Sequence, residues 1–210
     1  MSSKNPYEAF LASPGTSSAA DSSPAPSQAA MKAERGRPAG PAAFGALMPQ
    51  RAVTLPDAVD RLPVWGWDRD EPVWWLGVQG GAGETTLAAA SGVGRAASHM
   101  WPRTPSGRAQ VLLVARTNLH GLNALRRAAQ QWAAGDSAGA VVIGAVLVAD
   151  QPKPLPRPLR DLQRVVSGGV PRTWVVPWVP AWRVEEVTEQ NVPSSVKKVL
   201  ASATADIVIQ

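Results

Sequence analysis

The chain has 210 residues, carries a net charge of +5 and contains no cysteine and two histidines, a length that suits one ordinary domain with a segment to spare. The absence of cysteine excludes disulfides, thiol nucleophiles, thiolate zinc and iron–sulfur clusters, and His99 and His120, read as ordinary surface or loop residues, give no basis for a metal site. Because the 21 Lys and Arg are spread rather than clustered, no specific nucleic-acid site is expected.

Residues 1–50 contain 12 Ala, 8 Ser, 7 Pro and 4 Gly, and their only aromatic and leucine residues are Tyr7, Phe10, Leu11, Phe44 and Leu47. Such a segment cannot bury enough surface to offset roughly 1–2 kcal/mol of backbone entropy per residue, so a disordered tail is expected there. All nine tryptophans lie at or beyond Trp65, which places the start of the folded region between Arg51 and Trp65. No signal peptide and no span of eighteen apolar residues are found, so the sequence predicts a cytoplasmic protein without a membrane segment.

The apolar run Val73–Val78, bounded by Pro72 and a glycine cluster, predicts a buried parallel strand with Trp74 and Trp75 facing opposite sides. A helix is expected over 84–97, interrupted by Gly92 and Gly94. Val111–Ala115 predicts a second strand, followed by a helix with Leu119, Leu122, Leu125, Ala129 and Trp132 on one face and a stop at Gly135-Asp136. A third strand is expected over 140–149, a helix over 157–167 and a fourth strand over 173–176. A last short helix is placed at 194–201, capped by Ser194 or Ser195. Alternating strands and helices mean βαβ units and a mostly parallel sheet. The sequence therefore divides into a tail (1–50), an α/β domain (51–185) and a short C-terminal helix and tail (186–210).

In an α/β sheet the loop after the first strand is where ligands are sought. Here it reads Gln79-Gly80-Gly81-Ala82-Gly83-Glu84-Thr85-Thr86. Glycines at such a turn let successive N–H groups converge on an anion, with the positive end of the next helix behind them. The loop resembles the deviant Walker A loop of the ParA/MinD ATPases, Lys-Gly-Gly-x-Gly-Lys-Thr-Thr/Ser, with Gly80, Gly81, Gly83, Thr85 and Thr86 in register. The resemblance extends at fold level over about residues 73–180, including the hydrophobic strand end Val175-Val176-Pro177-Trp178. It implies a P-loop NTPase-like fold, with ATP and Mg²⁺ as the ligands of an intact loop and the Thr85 hydroxyl on the metal. The whole pattern, including Glu84 and the Pro-Trp-Val end, is also similar to an uncharacterised family of actinobacterial mobile elements, which implies a plasmid or conjugation context.

Two departures fall on the residues that would do the work. Glu84 stands where the family has its phosphate-binding lysine, and Gln79 where it has its signature lysine. Losing one charged hydrogen bond costs about 1.5–3 kcal/mol, and a carboxylate about 4 Å from a phosphate charge adds roughly 4 kcal/mol of repulsion. Together these weaken binding on the order of 10⁴-fold. No strand ends in a Walker B acid, since Val111–Ala115 runs into Arg116-Thr117, and Asp150 reads as a turn residue before Gln151-Pro152. Glu84 at the first turn of a helix can instead accept the loop's own N–H groups.

The sequence thus points to a non-catalytic or weakly nucleotide-binding ParA/MinD-like interaction module with no cofactor and a protein partner. An active ParA-like ATPase, with Arg95 or Arg116 replacing the lysine, is one alternative. Another is an NADP-binding Rossmann protein in which Arg116 holds the 2′-phosphate. Trp174, Trp178 and Trp182, spaced four apart with Pro177 and Pro180 forbidding a regular helix between them, lie beside Arg172 and Arg183 and make the candidate partner surface. The stiff basic loop 151–158 is expected at the same edge of the sheet.

Overall fold

A computed structural model of the chain describes residues 45–50, 52–205 and 207. The expected tail over 1–50 lies outside these residues except for its last six. Those six are not a free tail. Gly45 N donates to Pro171 O, Ala46 N to Gly168 O and Gln50 N to Ala133 O, and Ala46 packs on the core. The folded region therefore begins by Gly45, ahead of the Arg51–Trp65 boundary. Each such bond contributes about 1 kcal/mol net, partly offset by the entropy of ordering the segment. A chain starting at Arg51 should be less stable than one starting at Gly45 by about 2 kcal/mol, a Tm shift of about 4–8 °C. Equal thermal midpoints for the two chains would show that the segment contributes nothing.

Among the described residues seven strands follow: β1 (Val64–Gly66), β2 (Trp74–Gly77), β3 (Arg95–Ala96), β4 (Trp101–Arg103), β5 (Gln110–Arg116), β6 (Val141–Val148) and β7 (Thr173–Val176). The α-helices among the described residues are α1 (Glu84–Ser91), α2 (Leu119–Ala133), α3 (Arg157–Ser167) and α4 (Ser194–Thr204). Five strands form one sheet in the order β3-β2-β5-β6-β7, every pair parallel, while β1 and β4 pair separately, also in parallel. The protein is α/β, as the alternating pattern predicts.

The two faces of the sheet bury different residues. Trp74, Leu76, Val111 and Leu113 pack with Leu122, Leu125 and Trp132 of α2 and Val166 of α3. On the other face Trp75, Leu112, Val114 and Val146 pack with Leu87 of α1 and Val196 and Leu200 of α4. Adjacent tryptophans thus enter opposite cores, as strand alternation requires.

Chain order reverses at β2. The connection through α1 runs to β3 on one side, and the chain then passes to β5 on the other side. Such a switch opens a crevice at the carboxyl ends of β2 and β5. The glycine loop leaves β2 there.

Local departures have local causes. The helix expected over 84–97 stops at Ser91 because Gly92 takes a left-handed φ of 65° and Gly94 one of 75°. A Cβ on Gly94 would lie 2.0 Å from Val73 O, so the turn closes against β2 in a way only glycine permits. Neither Ser194 nor Ser195 caps α4; Pro193 occupies the cap position, and no side-chain cap bond forms. The strands β1, β3 and β4 hold three, two and three residues, too short to leave a periodic signal.

Candidate anion-binding site

The chain turns from β2 into α1 through Gln79–Gly83, closed by Ala82 N donating to Gln79 O at 3.2 Å. Gly81 and Gly83 take φ of 70° and 104°, conformations that glycine reaches without the Cβ penalty. Among the described residues the N–H groups of Gly80, Gly81, Glu84, Thr85 and Thr86 find no acceptor. They form a row of donors at the start of α1, where the helix dipole adds a partial positive charge.

Glu84 does not fill this row. The residue is buried at 7% exposure, and its carboxylate is seated against Gly77 and His99. Oε2 accepts one loop N–H, from Gly83 at 3.1 Å, and Oε1 lies 3.3 Å from His99 Nε2. His99 Nδ1 in turn donates to Gly77 O at 2.6 Å. A carbonyl can only accept, so Nδ1 carries the hydrogen of that bond. A Cβ on Gly77 would lie 2.5 Å from the carboxylate, which is why this seat exists at the end of β2. The expectation that Glu84 accepts the loop's own donors holds for one N–H.

His99 is the residue that sequence reasoning missed. Ser98 and His99 both take left-handed φ, 50° and 60°, which is uncommon away from glycine and returns the ring to a strand 22 residues earlier. The one available signal is chemical. A carboxylate at a buried helix start needs a partner, and among 21 Lys and Arg and two His the sequence does not single out His99.

Arg116, at the end of β5, crosses to the loop. Its Nε donates to Gly81 O at 3.0 Å, and Nη1 lies 3.5 Å from Ala149 O. Burial pulls its guanidinium below the usual arginine range; Asp150 opposes that shift and the like charge of Arg183 adds to it. Asp150 is itself a turn residue, its N–H held by Thr117 Oγ1 at 3.1 Å. Arg95 is not near this site. It sits opposite Trp74, at the other end of β2 from the loop, over the Trp67 ring at 5.1 Å. Thr85 is exposed and Thr86 half-buried. Gln79 turns its Oε1 toward Gly121 of α2, where it is buried with no partner among the described residues.

The five residues grouped as a partner surface separate. Trp174 is a core residue at 8% exposure, its Nε1 bonded to Ser202 Oγ at 3.1 Å. Arg172 precedes β7, at the end of the sheet away from the loop. Trp178, Trp182 and Arg183 stay together just after β7, with the Arg183 guanidinium 5.0 Å from the Trp178 ring centre. They meet Gly83, Thr86 and Arg116 around a small cavity of about 40 Å³. Proximity to the glycine loop, rather than the spacing of four, defines this group.

Residues 71–200 match the profile of a family of unknown function, DUF6668. The chain belongs to that family. No curated protein and no solved structure matches it. The matched span opens just before β2 and closes within α4, so the loop, both arginines and the 177–183 arm lie inside it, and β1 lies outside. Among the described residues no helix is long and apolar enough to cross a membrane, and no group of three His, Cys, Asp or Glu could hold a metal ion.

Proposed function

We propose that the protein is a non-catalytic, ParA/MinD-like interaction module whose degenerate glycine loop keeps weak affinity for phosphate-bearing anions. A protein partner would be met at the same end of the sheet, in a plasmid or conjugation setting. The observation that carries this reading is the row of unpaired N–H groups beside a carboxylate that takes up only one of the loop's donors. Donors for an anion remain, while the lysine that would hold a triphosphate is replaced. The position of the loop, after an inner strand at the switch point of a parallel sheet, supports the P-loop likeness.

A working ATPase of that class needs tight binding of ATP with Mg²⁺. Calorimetry with ATP and Mg²⁺ should therefore show no micromolar binding, and light scattering no nucleotide-dependent dimer. Micromolar binding with dimer formation would make the protein an active ParA-like enzyme instead.

A further inference from the structure

The loop is one half of a concave site; the other half comes from the ends of β5 and β7. Gly83 and Thr86 of the loop and α1, Arg116, and Trp178, Trp182 and Arg183 of the arm line one cavity. The polar side-chain groups among these six are all able to donate. Arg116 and Arg183 bring two guanidiniums and Thr86 a hydroxyl.

Charge points the same way. Arg183 bears on Arg116 as a like charge, and Asp150 is the single carboxylate that opposes it. Arg183 makes no ion pair among the described residues; its guanidinium rests on Trp178. Two guanidiniums and a hydroxyl facing one void favour an anion between them. The void sets the size of that anion. About 40 Å³ holds a few waters or one tetrahedral oxyanion, whereas a benzene-sized ring needs a cavity of about 150 Å³.

We propose that this cleft binds a single phosphoryl group, clamped between Arg116 and Arg183 beside the loop, with any attached base, sugar or peptide left outside. The inference rests on the anion-binding reading of the loop but assigns the charge to residues that no P-loop resemblance supplies. It explains how a loop carrying glutamate in place of lysine can still face an anion. Arg116 already holds the loop through Gly81 O, so binding and loop position are coupled through one side chain.

The test titrates the full chain with inorganic phosphate, AMP, a phosphoserine peptide and ATP with Mg²⁺, read by calorimetry and thermal shift, in wild type, Arg183→Ala and Arg116→Lys. Arg183 is exposed, so its variant should fold as wild type does. Phosphate should protect the wild type, and both variants should lose at least about tenfold in affinity, the loss expected for one charged hydrogen bond. ATP should gain little over phosphate, because only one phosphoryl group fits. Preference among phosphate, AMP and the peptide identifies what carries the group. Equal phosphate affinity in all three proteins would overturn the arginine clamp and leave the loop reading standing. No anion binding in the wild type would overturn both.

Discussion

Glu84→Lys should raise phosphate affinity by about 10- to 100-fold, measured by titrating the variant beside the wild type with ADP and inorganic phosphate. A lysine at the first position of α1 has two choices. The seat under Gly77 offers an ammonium few acceptors and takes it out of water, which is costly for an unpaired charge. The mouth of the loop leaves it hydrated and beside the unpaired N–H groups, so the side chain should turn outward. The gain is smaller than charge arithmetic on the sequence suggests. That arithmetic sets a bare carboxylate about 4 Å from the phosphate, worth roughly 4 kcal/mol. In the structure the carboxylate is buried against Gly77 and His99 and bonded to Gly83 N, so the bare-charge figure does not carry over. What remains is the new charged hydrogen bond, about 1.5–3 kcal/mol. The variant should also lose about 1–3 kcal/mol of stability, because the His99 ring and Gly83 N lose their partner. Binding without ATP turnover is expected, since on the proposed ParA/MinD-like reading Gln79 still stands where that family has its signature lysine. An unchanged dissociation constant in a folded variant would show that the loop lacks phosphate-binding geometry.

Gly121→Ala should destabilise the protein by about 3 kcal/mol, at the upper end for overpacking, and lower Tm by about 6–12 °C. Gly121 lies in the first turn of α2, where Asn118 Oδ1 accepts its N–H at 2.8 Å. A Cβ there would stand 2.2 Å from Arg116 O and 2.8 Å from Gln79 Oε1. The glutamine can swing away, but the carbonyl belongs to the end of β5 and cannot move without shifting Arg116. Relief must therefore come from prising α2 off the sheet or displacing the arginine that holds Gly81. Gly80→Ala is the matching control. It has open space at its Cβ and no left-handed φ, so it should cost well under 1 kcal/mol. Urea unfolding of the two variants decides the matter, and a loss below 1 kcal/mol for Gly121→Ala would mean that the crowded contact relaxes freely.

What could be read in the sequence follows from local repetition. Alternating apolar runs and helical faces specify parallel βαβ units because burial on both sheet faces demands continuous strands, and helices need one apolar stripe. That is why β2, β5, β6, β7 and the helix beginnings were legible, and why Trp74 and Trp75 could be sent to opposite cores. The glycine loop was legible for the same reason, since its turn chemistry is written in consecutive residues. Strands of two or three residues carry no period, so β3 and the β1–β4 pair escaped notice.

The chemistry of the site depended on contacts between distant parts of the chain. His99 reaches Gly77 across 22 residues and Arg116 reaches Gly81 across 35. Neither pairing has a sequence interval that a helix or strand would produce. Spacing suggested that Trp174, Trp178 and Trp182 share a surface, but strand alternation and α4 bury the first. Arg183, set apart from Arg116 by 67 positions, joins it because β5, β6 and β7 end side by side. The sequence by itself determined a parallel α/β domain with a glycine loop after β2 that runs into Glu84. Only the tertiary structure decided where the glutamate points and which arginines face the loop, because parallel strand order brings the ends of separate segments to one edge.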